Sequence, residues 1–169
     1  MAYLALAQGA NEMGDYVDII VFGLVCFAAA TSGGIFAPGD WYKALNKPSW
    51  TPPDWLFPIA WTVLYIMIAA AGVLVWRAEG FGLALGIWTA QLILNAAWSW
   101  IMFGRKQIGL ALADAGGMWL LIVAFIVVAW PVNSTASLLF LPYLAWVSVA
   151  FMLNLSILRL NPGGAPARA

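Results

Sequence analysis

Long apolar runs, broken by short clusters of charged and turn-forming residues, set the pattern of this chain. Five of them come close to the roughly 20 residues a helix needs to cross a hydrocarbon core about 30 Å thick. They are Val17–Phe36, Phe57–Trp76, Phe81–Phe103, Ile108–Trp130 and Ser137–Leu158. Each is apolar around its whole circumference rather than along one stripe, which suits a helix in lipid. The period-two alternation of a membrane barrel strand is absent, and the runs are about twice as long as such a strand. The pattern therefore predicts an all-α membrane protein, a bundle of five transmembrane helices within residues 17–160. A tail precedes the bundle at 1–16 and another follows it at 161–169. The first run has a small-residue stretch at Ala28–Ala30 that could be cleaved. However, Glu12, Asp15 and Asp18 precede it and no basic residue does, the reverse of a signal peptide. It is predicted as a span.

Composition sharpens this picture. Apolar residues make up 64% of the 169 positions and charged residues 8%, against about 25% charged in an ordinary soluble domain. The net charge of zero offers no basic footprint for nucleic acid. With no histidine, His-based triads, His-ligated zinc and a proximal-His haem are excluded, and no metal site is expected. The single cysteine, Cys26, permits no internal disulfide.

Charge placement gives a direction. Five spans put Lys43, Lys47, Arg105, Lys106, Arg159 and Arg168 on one side and Arg77 alone on the other. By the positive-inside rule the N-terminus lies outside and the C-terminus is cytoplasmic.

Most predicted connections are short. The cap loop at 37–56 is not: it holds Pro38, Pro48, Pro52 and Pro53 together with Trp41, Tyr42, Trp50 and Trp55. Prolines confine the backbone to extended or turn states, so a rigid cap over a cavity is expected, although aromatic rings also serve as interface anchors. Inside the spans, Gln91 and Asn95 are four apart and share a face with Trp98, while Trp146, Ala150 and Asn154 form a second stripe. Interhelical hydrogen bonding is expected of Gln91; for Asn95 and Asn154 bundle glue and cavity lining both remain open. Asp114, two turns into the fourth span, should be near an interface or paired with an amide. Without a second charged partner it gives a proton-coupled transporter little support. Gly82, Gly86 and Ala90 make a small-residue row that allows close helix pairing, within the chain or with a second copy.

The segments WYKALNKPSWTPPDW (41–55), PIAWTVLY (58–65), ILNAAW (93–98), LPYLAW (141–146) and LNLSILR (153–159) occur in this order. With them the chain resembles the TspO/MBR family, the translocator proteins, also known as peripheral-type benzodiazepine receptors or tryptophan-rich sensory proteins. It looks like a bacterial homologue. The resemblance implies a five-helix bundle, often dimeric, with a cavity under the first loop. It implies binding of porphyrins such as protoporphyrin IX and haem, of isoquinoline and benzodiazepine drugs, and of sterols. The family's cavity tryptophans match Trp61 and Trp146, and its pocket carries over to Trp50, Asn95, Trp98 and Ala150. With Tyr65 and Asn154 these complete the candidate ligand-binding set. Indole faces suit a flat macrocycle, and Lys43 and Lys47 are candidates for its carboxylates.

The reading is thus a membrane receptor or carrier for porphyrins, acting in tetrapyrrole transport or sensing, with porphyrin as ligand and no resident cofactor. The alternative is an enzyme that degrades porphyrin with light and oxygen through Trp61 and Trp146. A homodimer through Gly82, Gly86 and Ala90 is expected, in a lipid membrane and with no nucleic-acid partner. Two departures from the family stand out. Leu155 replaces the aromatic residue of the sterol-recognition pattern between Leu153 and Arg159, so sterol binding should be weak. Ser99 and Trp100 follow Trp98 where relatives often carry proline, which predicts a straighter third helix. Of the eleven tryptophans, Trp76 and Trp130 look like interface anchors, and Trp61, Trp98 and Trp146 are predicted to face one cavity. Trp88, Trp100 and Trp119 have no assigned role.

Overall fold

The computed structural model describes the backbone of residues 2–162 and the side chains from Tyr16 onward. The regular structure of the described residues is all helical, without strands, in the order α1 (Ala2–Ile35), α2 (Asp40–Lys43), α3 (Leu56–Glu79), α4 (Leu83–Ser99), α5 (Ile108–Ala129), α6 (Ser134–Leu139) and α7 (Leu141–Leu160). Four stretches are long and apolar enough to cross a membrane: Tyr16–Ile35 within α1, α3, α5, and Ser134–Leu160 across α6 and α7. The protein is an all-helical integral membrane protein. Arg168 lies outside the described residues.

The third predicted run departs from the expected straight helix. Its α-helical part, α4, ends at Ser99 after 17 residues and continues as a π-helical turn over Trp100–Gly104. The ladder loosens there: Arg105 N–H donates to the Trp100 carbonyl at 2.8 Å and Gln107 N–H to that of Ile101 at 3.1 Å. Absence of proline leaves every N–H in place, but it does not hold the ladder in α-helical register. The turn brings Gly104 under the Phe36 ring, where a Cβ would lie 3.0 Å from that ring.

The last predicted run is also divided. Pro142 has no N–H to continue the helix from α6 and its ring would strike the carbonyl of Leu138, so the chain breaks at Phe140 and restarts with Pro142 in the first turn of α7. The short α6 is capped by Asn133, whose Oδ1 accepts from Ala136 N–H at 3.0 Å. α1 begins at Ala2, so the predicted N-terminal tail continues the helix of the first span. A tight turn joins α3 to α4 through Gly80, whose φ of 67° is a left-handed value that glycine adopts without steric penalty.

α3 packs on α1 and α6, α4 on α1 and α5, and α5 on α7. Gly72 decides how closely three of these approach. The Phe22 ring of α1 and the Trp88 ring of α4 meet edge to face at 5.1 Å over it. A Cβ at Gly72 would fall 2.6 Å from Phe22 and 2.8 Å from Trp88. Outward-facing Leu24, Ile66, Ile93, Leu120 and Val127 are exposed from the protein, as lipid-facing side chains must be.

Two buried clusters result. The larger runs from Phe22, Cys26 and Ile68 through Trp88, Met118 and Ile122 to Tyr143 and Val147. The smaller holds Leu45, Ile101, Met102, Ile108, Ala111, Leu153 and Ile157 at the end of the bundle closed by the cap loop. The loop is ordered by local bonds, with Thr51 N–H and Oγ1 both donating to the Pro48 carbonyl at 3.1 and 2.7 Å.

Candidate functional site

α3 carries Trp61 and Tyr65 one turn apart, with rings 5.7 Å between centroids. α7 brings Tyr143 against Trp61 as well, edge on at 6.3 Å. Between them α4 inserts its amide face. Tyr65 Oη donates to Asn95 Oδ1, and Asn95 Nδ2 donates to Tyr143 Oη at 2.8 Å. Tyr143 Oη in turn donates to Gln91 Oε1 at 3.0 Å and also lies 3.2 Å from Met118 Sδ. Gln91 Nε2 donates to the Trp88 carbonyl at 2.9 Å, and Trp88 Nε1 to that of Ile68 at 2.9 Å. The bonds run in one direction and return to α3. In a low-dielectric interior each of these groups would be costly unpaired.

Gln91 is bundle glue, as its position predicts, and Asn95 is held in the same network. One amide proton and one lone pair of Asn95 remain beyond these bonds. Tyr143, fully buried at 0% exposure, is the centre of the network and was not singled out by sequence reasoning. Its signal was its place in LPYLAW, three residues before Trp146 and so on the same face of a helix.

Trp146 also belongs to the larger cluster, where Phe57 meets its ring edge on at 5.6 Å. Its Nε1 is buried and has no hydrogen-bond partner among the described residues. Ala150 follows one turn later on α7, partly buried. Asn154, 2% exposed, turns towards α5: its Nδ2 donates to the Ile108 carbonyl at 2.9 Å, and its Oδ1 is buried without a partner among the described residues.

Trp98 packs on the smaller cluster instead. It meets Phe103 edge on at 5.5 Å, and Phe103 meets Tyr42 of the cap loop at 5.2 Å. Phe57 touches this cluster as well as Trp146, and so bridges the two groups of tryptophans. Trp50 is 48% exposed at the loop surface. Lys47 places its ammonium 4.5 Å above the Tyr42 ring, at the aromatic rim. Lys43 is exposed and pairs with Asp40 at 3.4 Å. Burial, with a smaller contribution from the Asp54 carboxylate, raises the Tyr42 phenol above its ordinary range, so it is neutral at physiological pH.

Of the two settings expected for Asp114, near an interface or paired with an amide, the buried carboxylate oxygen shows no amide pairing. Its Oδ2 is buried without a hydrogen-bond partner among the described residues. The positions one turn away on α5 are Leu110, Ala111, Gly117 and Met118, whose side chains cannot donate. Two apolar grooves open elsewhere on the outer faces. One of about 420 Å³ lies between α5 and α7 beside Trp119 and Phe151, the other of about 450 Å³ between α1 and α3 beside Gly23 and Ala69. Neither is lined by Trp61, Trp98 or Trp146.

The tryptophans without a predicted role find one. Trp88 is a core residue, Trp119 Nε1 donates to Ser148 Oγ at 2.8 Å, and Trp100 lies under the Arg105 guanidinium at 5.3 Å. Trp76, at the far end of α3, donates through Nε1 to Asp18 Oδ1 at 3.1 Å, beside the Arg77–Asp18 ion pair.

The sequence profile of the TspO/MBR family matches residues 22–160. The chain belongs to the TspO/MBR family. Its relatives are alike over nearly their whole length. It is 41% identical to the tryptophan-rich sensory protein of Cereibacter sphaeroides, over 92% of this chain and 98% of the relative. It is 44% identical to protein CrtK of Rhodobacter capsulatus, over 86% of this chain and 94% of the relative. Human translocator protein is 39% identical, with 83% of this chain and 85% of the relative covered. The family span takes in α3 to α7 and the cap loop, and therefore every candidate site residue.

Proposed function

We propose that this TspO/MBR protein is a membrane receptor or carrier that binds porphyrins and other flat hydrophobic ligands, isoquinoline and benzodiazepine drugs among them, in tetrapyrrole transport or sensing. The observation that carries this reading is the aromatic group under the cap. Trp61 meets the rings of both Tyr65 and Tyr143, and Trp146 offers a buried indole N–H with no partner among the described residues. Flat apolar rings are held by such faces, and a free buried donor is completed by an acceptor on a ligand. Lys47 at the rim is the better placed of the two cations for a ligand carboxylate.

In this reading α4 and its π-helical turn form a fifth span, because the 17 residues of α4 alone rise only about 26 Å. Lys43, Lys47, Arg105, Lys106 and Arg159 then share one side with the C-terminus, which the positive-inside rule makes cytoplasmic. Titration of detergent-purified protein with protoporphyrin IX, followed by tryptophan fluorescence, tests the site. Saturable quenching is expected, weakened at least tenfold in the Trp61→Phe, Trp146→Phe double variant. Unchanged affinity there would remove the site.

A second reading is an enzyme that breaks porphyrin down with light and oxygen. It is favoured by the oxidisable rings of Tyr65 and Tyr143 in contact with Trp61. Illumination of the same samples separates the two, since an enzyme must bleach bound porphyrin faster than micelles alone do.

A further inference from the structure

Asn46 of the cap loop and Asn161 beyond the end of α7 are 115 positions apart and share four polar groups. Asn161 Oδ1 accepts from the Asn46 backbone N–H at 3.0 Å, and Asn161 Nδ2 donates back to the Asn46 carbonyl at 2.9 Å. The pair imitates the exchange of bonds between two strands. The second Nδ2 proton goes to the Ile157 carbonyl at 2.8 Å, so both donors of the amide are spent. Asn161 is 2% exposed, although it lies outside the helix that precedes it. No other side chain has this donor and acceptor set at this length: Asp lacks the donors, and Gln is longer by a methylene. Asn46 adds a long bond of its own, from Nδ2 to the Leu160 carbonyl at 3.4 Å.

The next residue back supplies the other half of the attachment. Leu45, 5% exposed, enters the smaller cluster between the π-helical turn, the start of α5 and the end of α7. Trp98 and Phe57 pack on that same cluster, and Phe57 touches Trp146. The loop therefore closes the end of the bundle at which the aromatic group lies. One amide, one leucine and the partly buried rings of Trp41 and Tyr42 are an attachment on the scale of local opening, not of global unfolding. The prolines that stiffen the loop make it move as a piece once the attachment is lost.

We infer that Asn161 is a positioning residue that latches the cap loop and thereby sets the rate at which ligand enters and leaves. This rests on the porphyrin reading for the ligand, but the latch itself has a ligand-free readout. In hydrogen–deuterium exchange of the full chain in detergent, the Asn46 amide should exchange on the order of tenfold faster in Asn161→Ala and in Asn161→Asp. Amides of α5 should not change, which shows that the variants are folded. Asn46→Ala keeps both backbone bonds and should exchange like the parent.

In stopped-flow quenching with protoporphyrin IX, association and dissociation should both rise severalfold in Asn161→Asp, with Kd within about twofold, as a gate requires. Unaltered exchange at Asn46 overturns the latch. Faster exchange with unaltered ligand rates overturns its role as the gate. Faster exchange in the variants, together with a parent protein that binds no porphyrin, sinks the porphyrin reading and supports the latch.

Discussion

Tyr143 shows what a single hydroxyl can decide in an interior without water. It accepts from Asn95 and donates to Gln91, and its ring supports Trp61. Tyr143→Phe would keep the ring and orphan two buried amide groups. Hydrogen bonds within membrane bundles average about 0.6 kcal/mol, but a buried partner left unsatisfied costs about 1–3 kcal/mol. A loss within that wider range is expected in reversible unfolding in mixed detergent. A loss near zero would mean that the amides find other partners, so that Tyr143 does not organise the network. Sequence reasoning reached Gln91 and Asn95 because a polar residue in an apolar run stands out. It passed over Tyr143 because tyrosine at a membrane boundary is ordinary. The orphaned oxygens of Asp114 and Asn154 were equally invisible, since a missing partner is a property of the neighbours.

Helices here are placed by small residues and by breaks in the backbone ladder. Gly72 is a close interhelical contact, with α1 and α4 meeting over it. Gly72→Ala forces the Phe22 and Trp88 rings apart and should destabilise the protein by about 1–3 kcal/mol, read from the thermal midpoint in detergent. The same change at Gly34 meets nothing within 4 Å and should leave the midpoint nearly unchanged. Helix propensity favours alanine at both positions, so a midpoint that does not fall at Gly72 would show that the rings give way and that packing there is not tight. The sequence drew attention to a different row, Gly82, Gly86 and Ala90. In the structure a Cβ at Gly82 would meet the chain's own Glu79 carboxylate, while one at Gly86 would meet nothing within 4 Å. Which glycine is a seam depends on the helix opposite it, and the spacing alone does not say.

At the scale of the whole molecule, that open face of α4 bears on assembly. Gly86 is exposed, and Ile93, two turns on, is 63% exposed. We propose that a second copy packs there, and Gly86→Leu should then shift light scattering in detergent from dimer towards monomer. Val127→Trp, on the exposed face of α5, should not. A dimer untouched by Gly86→Leu would move the interface elsewhere.

The helical membrane class was determined by the sequence alone, because lipid-facing helices must be apolar all round and the runs between charges have the length of a bilayer core. Family membership was legible too, in the proline- and tryptophan-rich loop. Tertiary structure decided the rest. It set the π-helical turn after Ser99 and gave Asn161 its partner 115 positions away. It also separated Trp98 from Trp61 and Trp146, with Phe57 between the two groups. These features depend on which atoms meet across helices, and the apolar pattern along one helix records only that something is met.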